Sequence, residues 1–226
     1  MWQAAGEDSQ HGRPALAEVI RRYWQPLYSF ARRRGLSSED AEDATQEFLS
    51  RIISGDLLAN ADPAKGRFRT FLLTAWKRFL VDQFRREAAQ RRGGAAQFVP
   101  LDVDRVERSW QELKSREPDP ERLFMLGWAT SLLDEVQLRL RRDYASADRS
   151  KVLNALLPNL TSTLDAAAYR QVAQELSLST SAVKVALHRL RQRFGATLRE
   201  VIAETVDDPA EVDAEIQELL HIITRG

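Results

Sequence analysis

Apolar residues recur three and four places apart along almost the whole chain, and that spacing confines it to helices. Leu16, Val19, Ile20, Tyr23, Trp24, Leu27, Tyr28 and Phe30 form one stripe, with Pro26 as a local irregularity. Ala41, Ala44, Phe48, Leu49, Ile52 and Ile53 form a second, entered through Ser37 or Ser38 as the capping residue. A third runs through Phe68, Phe71, Leu72, Ala75, Trp76, Phe79, Leu80 and Phe84. Side chains at these spacings return to one face of a helix, whereas a strand needs strict alternation, which is hard to find here. The expected class is all-α.

The periodicity fades between Gly93 and Pro120, where Gly93-Gly94, Pro100, Pro118 and Pro120 punctuate the chain. Two small helical domains joined by a flexible linker are therefore expected. The first covers residues 1–92, the linker 93–120 and the second domain 121–206, opening at Leu123, Phe124, Leu126, Trp128, Leu132 and Leu133. An acidic amphipathic helix follows over 207–226, starting at Pro209. Its apolar side is expected to be Val212, Ile216, Leu219, Leu220 and Ile223.

Charge is segregated along this scaffold although it sums to zero, with 33 basic and 33 acidic residues. Seven acids (Glu39, Asp40, Glu42, Asp43, Glu47, Asp56 and Asp62) stand against Arg51 between Leu36 and Asp62. From Lys65 to Arg92 the balance reverses, with nine bases against Asp82 and Glu87. A second basic block runs from Ser179 to Arg199, carrying Lys184, Arg189, Arg191, Arg193 and Arg199 and no acid. Basic blocks suit an anionic partner such as nucleic acid, whose phosphates they neutralise with release of counterions. Solvated helix faces are the alternative reading of either block alone.

Tyr169 to Phe194 has the pattern of a helix-turn-helix. Val172, Ala173 and Leu176 form the inner face of the first helix, and Val183, Ala186, Leu187 and Leu190 that of the second. Leu178 is expected to plug the turn, Ser177 to occupy the place that often holds glycine, and Ser179 to cap the second helix. Thr180, Ser181, Lys184, Val185, His188, Arg189 and Arg191 are left outside. Short polar groups at a helix N-terminus with longer bases behind them suit phosphate contact and base reading.

The stretch "LSLSTSAVKVALHRLRQRF" resembles the promoter-reading helix of bacterial RNA polymerase sigma factors of the extracytoplasmic-function (ECF) group. Two earlier stretches resemble the same group in the same order. "YWQPLYSFARRRGLSSEDAEDATQEFLSRII" is similar to its polymerase-binding segment and "GRFRTFLLTAWKRFLVDQFRRE" to its promoter-melting segment. The resemblance implies a region 2-like domain followed by a region 4-like helix-turn-helix domain. The stretch before the helix-turn-helix lacks the group's usual lead-in and the chain continues past the reading helix, which marks a divergent subgroup with a C-terminal extension.

The resemblance also implies partners and sites. Core RNA polymerase would be met at a coiled coil of its largest subunit through Asp40, Asp43, Gln46, Glu47 and Phe48. Asp40, Asp43 and Glu47, at i, i+3 and i+7, share one helix face. Promoter DNA would be opened and held at its upstream element by Arg67, Lys77, Arg78, Arg85 and Arg86. Unpaired bases stack on aromatic faces while phosphates need cations, although Phe71, Trp76 and Phe79 lie on the apolar stripe and belong mainly to the core. The outward residues of the second helix would read the other promoter element. The tail helix would either cap the second domain's core or shield the DNA-binding face. An anti-sigma factor or other regulator completes the set of implied partners.

Catalysis finds no support: P-loop, Gly-x-Gly-x-x-Gly, Gly-x-Ser-x-Gly and His-Glu-x-x-His motifs are absent, and the three histidines are scattered. No cofactor, metal or membrane is expected. The chain has no cysteine, which excludes disulfides and thiolate sites and fits a reducing compartment. A cytoplasmic location is expected, since no apolar run approaches the roughly 20 residues that span a bilayer. The rival reading is a helix-turn-helix regulator that binds DNA without docking on polymerase.

Overall fold

The computed structural model describes residues 12–54, 57, 67–89, 119–206 and 208–224, so most of the expected linker lies outside it. Every regular element among the described residues is helical. In chain order these are α1 (Gly12–Arg33), α2 (Ser38–Ile53), α3 (Phe68–Ala89), α4 (Pro120–Ser146), α5 (Ser150–Leu156), α6 (Ala166–Leu176), α7 (Thr180–Ala203) and α8 (Val212–Thr224), with short 3₁₀ turns at Leu157–Asn159 and Pro209–Glu211. Packing divides the chain into two units, 1–131 with 203–226, and 132–202.

In the first unit the apolar stripes become the core. Tyr23, Trp24, Leu27 and Tyr28 of α1 are buried together with Ala44, Phe48 and Ile52 of α2 and Leu72, Trp76 and Phe79 of α3. The Phe48 ring lies 4.9 Å from Trp76 and 5.4 Å from Phe79, with Trp76 and Phe79 stacked at 5.5 Å. Such aromatic contacts add to the burial of large rings. Helix α1 ends where the amide of Leu36 reaches back to the Ala31 carbonyl and that of Gly35 to Arg32. This closure puts its penultimate residue in the left-handed region, and Gly35 takes it at φ +99°. Ser37 then caps α2 by accepting from the Asp40 amide at 3.1 Å. Gly127 of α4 lies so close to Pro26 that an added Cβ would stand 3.2 Å from the Pro26 Cα.

The tail helix α8 belongs to the first unit, together with residues 121–131 that were expected to open the second domain, and not to the unit 132–202. Its buried face is Val212, Glu215, Leu219 and Ile222, while Leu220 and Ile223 are exposed. The helix is thus rotated from the expected apolar stripe. The cause is Glu215, whose carboxylate pairs with Arg69 and, at 2.7 Å, with the Nε of Arg67. Arg69 is itself buried, its guanidinium 4.3 Å from the centre of the Trp128 ring. A carboxylate enters a core only with such partners, and here two arginines hold it. Arg22 is buried as well and pairs with Glu204 at 3.0 Å, fastening the stretch before the tail to α1. Burial raises the Tyr23 hydroxyl to about 12, against the opposing pull of Arg69 and Arg22.

The second unit is built around Leu132, Val136 and Leu140 of α4, Leu153 and Leu156 of α5, Val172 and Ala173 of α6, and Val183, Leu187, Leu190 and Val201 of α7. Its turns reuse the closure seen after α1. After α4 the Arg149 amide reaches the Tyr144 carbonyl, with Asp148 at φ +52°. After α6 the Leu178 amide reaches Ala173, with Ser177 at φ +53°. Asp165 caps α6, accepting from the Ala168 amide at 2.7 Å.

Candidate functional site

The acidic face of α2 is only partly available. Asp40 and Asp43 are exposed, although Asp40 also accepts from the Ser37 hydroxyl at 2.7 Å and so helps to seal the helix start. Glu47 pairs with Arg51 at 2.5 Å along its own helix. Gln46 is buried and donates to Glu42 at 3.1 Å. Phe48 has no exposed surface at all. It can support a docking face by holding α2 against α3, but it cannot touch a partner, which corrects the sequence assignment. The remaining face is Glu39, Asp40 and Asp43, at the positive N-terminal end of the helix dipole.

On α3 the basic residues separate by their partners. Arg67 is held by Glu215 and lies 3.9 Å from Glu218, so the tail helix takes the cation expected to meet DNA. Lys77 pairs with Glu121 at the start of α4. Arg85 is largely exposed and stands 3.9 Å from Asp82, a distance at which the pair holds it weakly. Arg78 is exposed, with no ionic partner among the described residues. The Arg86 side chain lies outside the described residues. Trp76 and Phe79 are core, as their place on the stripe implied, whereas Phe84 is half exposed beside Arg85.

The helix-turn-helix forms as the sequence pattern requires. Ser179 caps α7 by accepting from the Ala182 amide at 3.1 Å. Val183, Leu187 and Leu190 face inward, leaving Thr180, Ser181, Lys184, Val185, His188 and Arg189 exposed along one side. Lys184 rests 5.3 Å from the Tyr169 ring centre, a cation–π contact that holds its stem across α6.

Two expectations fail in this unit. Arg191 is not a free base-reading side chain. Its guanidinium donates to the carbonyls of Leu160, Asn159 and Ser162 at 2.9, 3.1 and 2.6 Å. It therefore satisfies the carbonyl end of the turn after α5, where a cation is favoured. Leu178 does not plug the turn but stays 41% exposed. Arg193 is likewise engaged, its Nε and Nη2 donating to Asp143 at 3.0 and 2.6 Å, and this hydrogen bond raises its pKa further.

Sequence reasoning missed Glu215 and Arg149. An acid within an acidic tail carries no mark of burial. Arg149, on the turn before α5, shares an open groove with Leu178, Val185 and Arg189 that no local pattern could assemble. Among the described residues no cluster of metal-ligating side chains forms, and no helix is long and apolar enough to cross a membrane.

A match to the sigma-70 region 2 family over residues 19–90 takes in most of α1 and all of α2 and α3. Those residues are a sigma-70 region 2 domain. Along most of its length the chain is also similar to the ECF RNA polymerase sigma factor SigE of Mycolicibacterium smegmatis, at 23% identity over 210 residues, which are 91% of this chain and 69% of that protein. Both likenesses are to sigma factors, the first over residues 19–90 and the second, to an ECF protein, along most of the chain. No solved structure matches it.

Proposed function

We propose that the protein binds core RNA polymerase and directs promoter-specific initiation of transcription, reading the upstream promoter elements with both of its helical parts. The observation that carries this reading is a sigma-70 region 2 domain followed, in one chain, by a helix-turn-helix whose second helix carries no acid from Ser179 to Arg199. Residues 1–92 dock on polymerase and open the duplex, and residues 121–206 act as the region 4-like reader across the linker at 93–120. The docking face is Asp40 and Asp43, flanked by Glu39, and it meets a basic surface such as the coiled coil of the largest subunit. Arg78 and Arg85 are the cations that α3 offers to the melted strand, with the half-exposed Phe84 as a stacking surface. Thr180, Ser181, Lys184, His188 and Arg189 face the second element. Its work places it in the cytoplasm, where an anti-sigma factor or another regulator would hold it inactive.

The test is initiation in a purified system. The full chain is mixed with bacterial core polymerase, co-elution is followed by gel filtration, and transcripts from genomic templates are mapped to their starts. Co-elution with discrete start sites is expected. Duplex DNA binding without any association with core polymerase would replace this reading with that of a simple helix-turn-helix regulator.

A further inference from the structure

We infer that a groove on the second unit receives the methyl group of a thymine, so that Val185 and Leu178 set a T·A preference beside the base pair met by Arg189. This rests on the proposed function, since it presumes that α7 enters promoter DNA. The groove is open, about 400 Å³ in volume, and its lining includes Arg149 and Val152 together with Leu178, Val185 and Arg189. Val185 is 50% and Leu178 41% exposed, and within this unit only Leu138 is another large apolar side chain so open to water. Two of these three meet in one groove on the face that the cap of α7 turns outward.

Charge complementarity identifies the occupant. Two arginines and no acid line the groove, so an anionic partner is favoured. A purely phosphate-binding surface would have no use for two exposed aliphatic side chains. Duplex DNA offers both groups at once, because phosphates border the major groove and the thymine C5-methyl is the apolar group displayed on its floor. Arg149, which no sequence pattern marked, is then a positioning residue that contacts the backbone and sets the register of α7 without reading a base. Val185 and Leu178 supply the apolar contact.

The contact is tested by removing the methyl and nothing else. A binding site is first selected from random duplexes with the full chain bound to core polymerase. Each thymine in the selected element is then replaced by deoxyuridine. At one position the wild type should lose about fourfold in affinity, the factor that one buried methyl is worth. Val185→Ser combined with Leu178→Ser, both at exposed positions and with helix content checked by circular dichroism, should bind the thymine and deoxyuridine duplexes alike. Val185→Thr, which keeps one methyl at the same place, should retain part of the difference. Arg149→Ala should weaken both duplexes equally and flatten the salt dependence by about one phosphate contact.

A selected site that is indifferent to deoxyuridine at every thymine overturns the inference and leaves the proposed function standing. So does a methyl preference that survives when Val185 and Leu178 are both replaced by serine. Loss of core binding by this double variant in the absence of DNA would mean that polymerase fills the groove, which also overturns it. Failure to select any duplex overturns the promoter-reading function and this inference together.

Discussion

Removing the Glu215 carboxylate should strand a buried cation. Arg69 is 5% exposed and Glu215 3% at the side chain, so neither can turn to water without the helix α8 moving. Arg67, the second partner, is 37% exposed and can be rehydrated, so its loss contributes little. Deleting one member of a buried pair costs about 3–5 kcal/mol, because the other charge stays desolvated. Glu215→Ala should therefore lower the stability of the first unit by about that amount. At about 2–4 °C per kcal/mol for a unit of this size, its melting midpoint should fall by about 6–20 °C. Calorimetry and urea unfolding followed by circular dichroism measure this, with the near-ultraviolet tryptophan signal, to which Trp128 beneath Arg69 contributes, reporting the first unit, since all five tryptophans fall within residues 1–131. Replacing both charges, as Arg69→Met with Glu215→Leu, should restore most of the loss, because an apolar pair of similar volume needs no compensation. A loss below about 1 kcal/mol in Glu215→Ala, or no recovery in the double variant, would refute the account of α8 as an ion-pinned part of this core.

Three further outcomes follow from the geometry. Tyr23 is held protonated more tightly in the folded state, with its pKa raised from 10.0 to about 12; its contribution, about 2–3 kcal/mol, is present in full below about pH 10 and is lost as pH rises through about 12, so Tyr23→Phe should flatten the alkaline unfolding curve and remove a late phenolate absorbance step. Reversing the exposed pair with Asp40→Lys and Asp43→Lys should weaken binding to core polymerase by about 2 kcal/mol and leave helical circular dichroism nearly unchanged; unaltered affinity removes this face from the interface. Arg189→Ala should relax base preference at one promoter position by about 1–3 kcal/mol, whereas Arg191→Ala should leave base preference intact and destabilise the second unit by about 1–2 kcal/mol through the three carbonyls it abandons; a selection experiment and a denaturation curve on both variants separate the two roles.

Much of the site was legible because it is local. Capping is a three-residue affair, so Ser179 could be read as a cap from the residues next to it and the start of α2 narrowed to Ser37 or Ser38, of which Ser37 accepts the amide. The inward positions Val183, Leu187 and Leu190 follow from helical periodicity alone. The cations were harder, because an arginine looks the same in sequence whether it faces solvent, a carbonyl or a carboxylate. Arg67, Arg191 and Arg193 were all plausible DNA contacts by composition, and each is engaged by a group far along the chain. On α3 the stripe placed Trp76 and Phe79 correctly in the core, whereas Phe71 is only partly buried and Phe84, on the same stripe, is half exposed.

By itself the sequence determined the helical class, the order of the helices, the Ser179 cap and the acid-free face of α7, since each is written in residues within one or two turns of each other. Only the tertiary structure decided where the tail helix lies. The bond between Arg69 and Glu215 joins residues 146 positions apart, and a carboxylate counts as polar in any periodicity until two arginines are brought to it. Burial of a charge depends on its partner, and partners this distant in sequence meet only once the chain has folded.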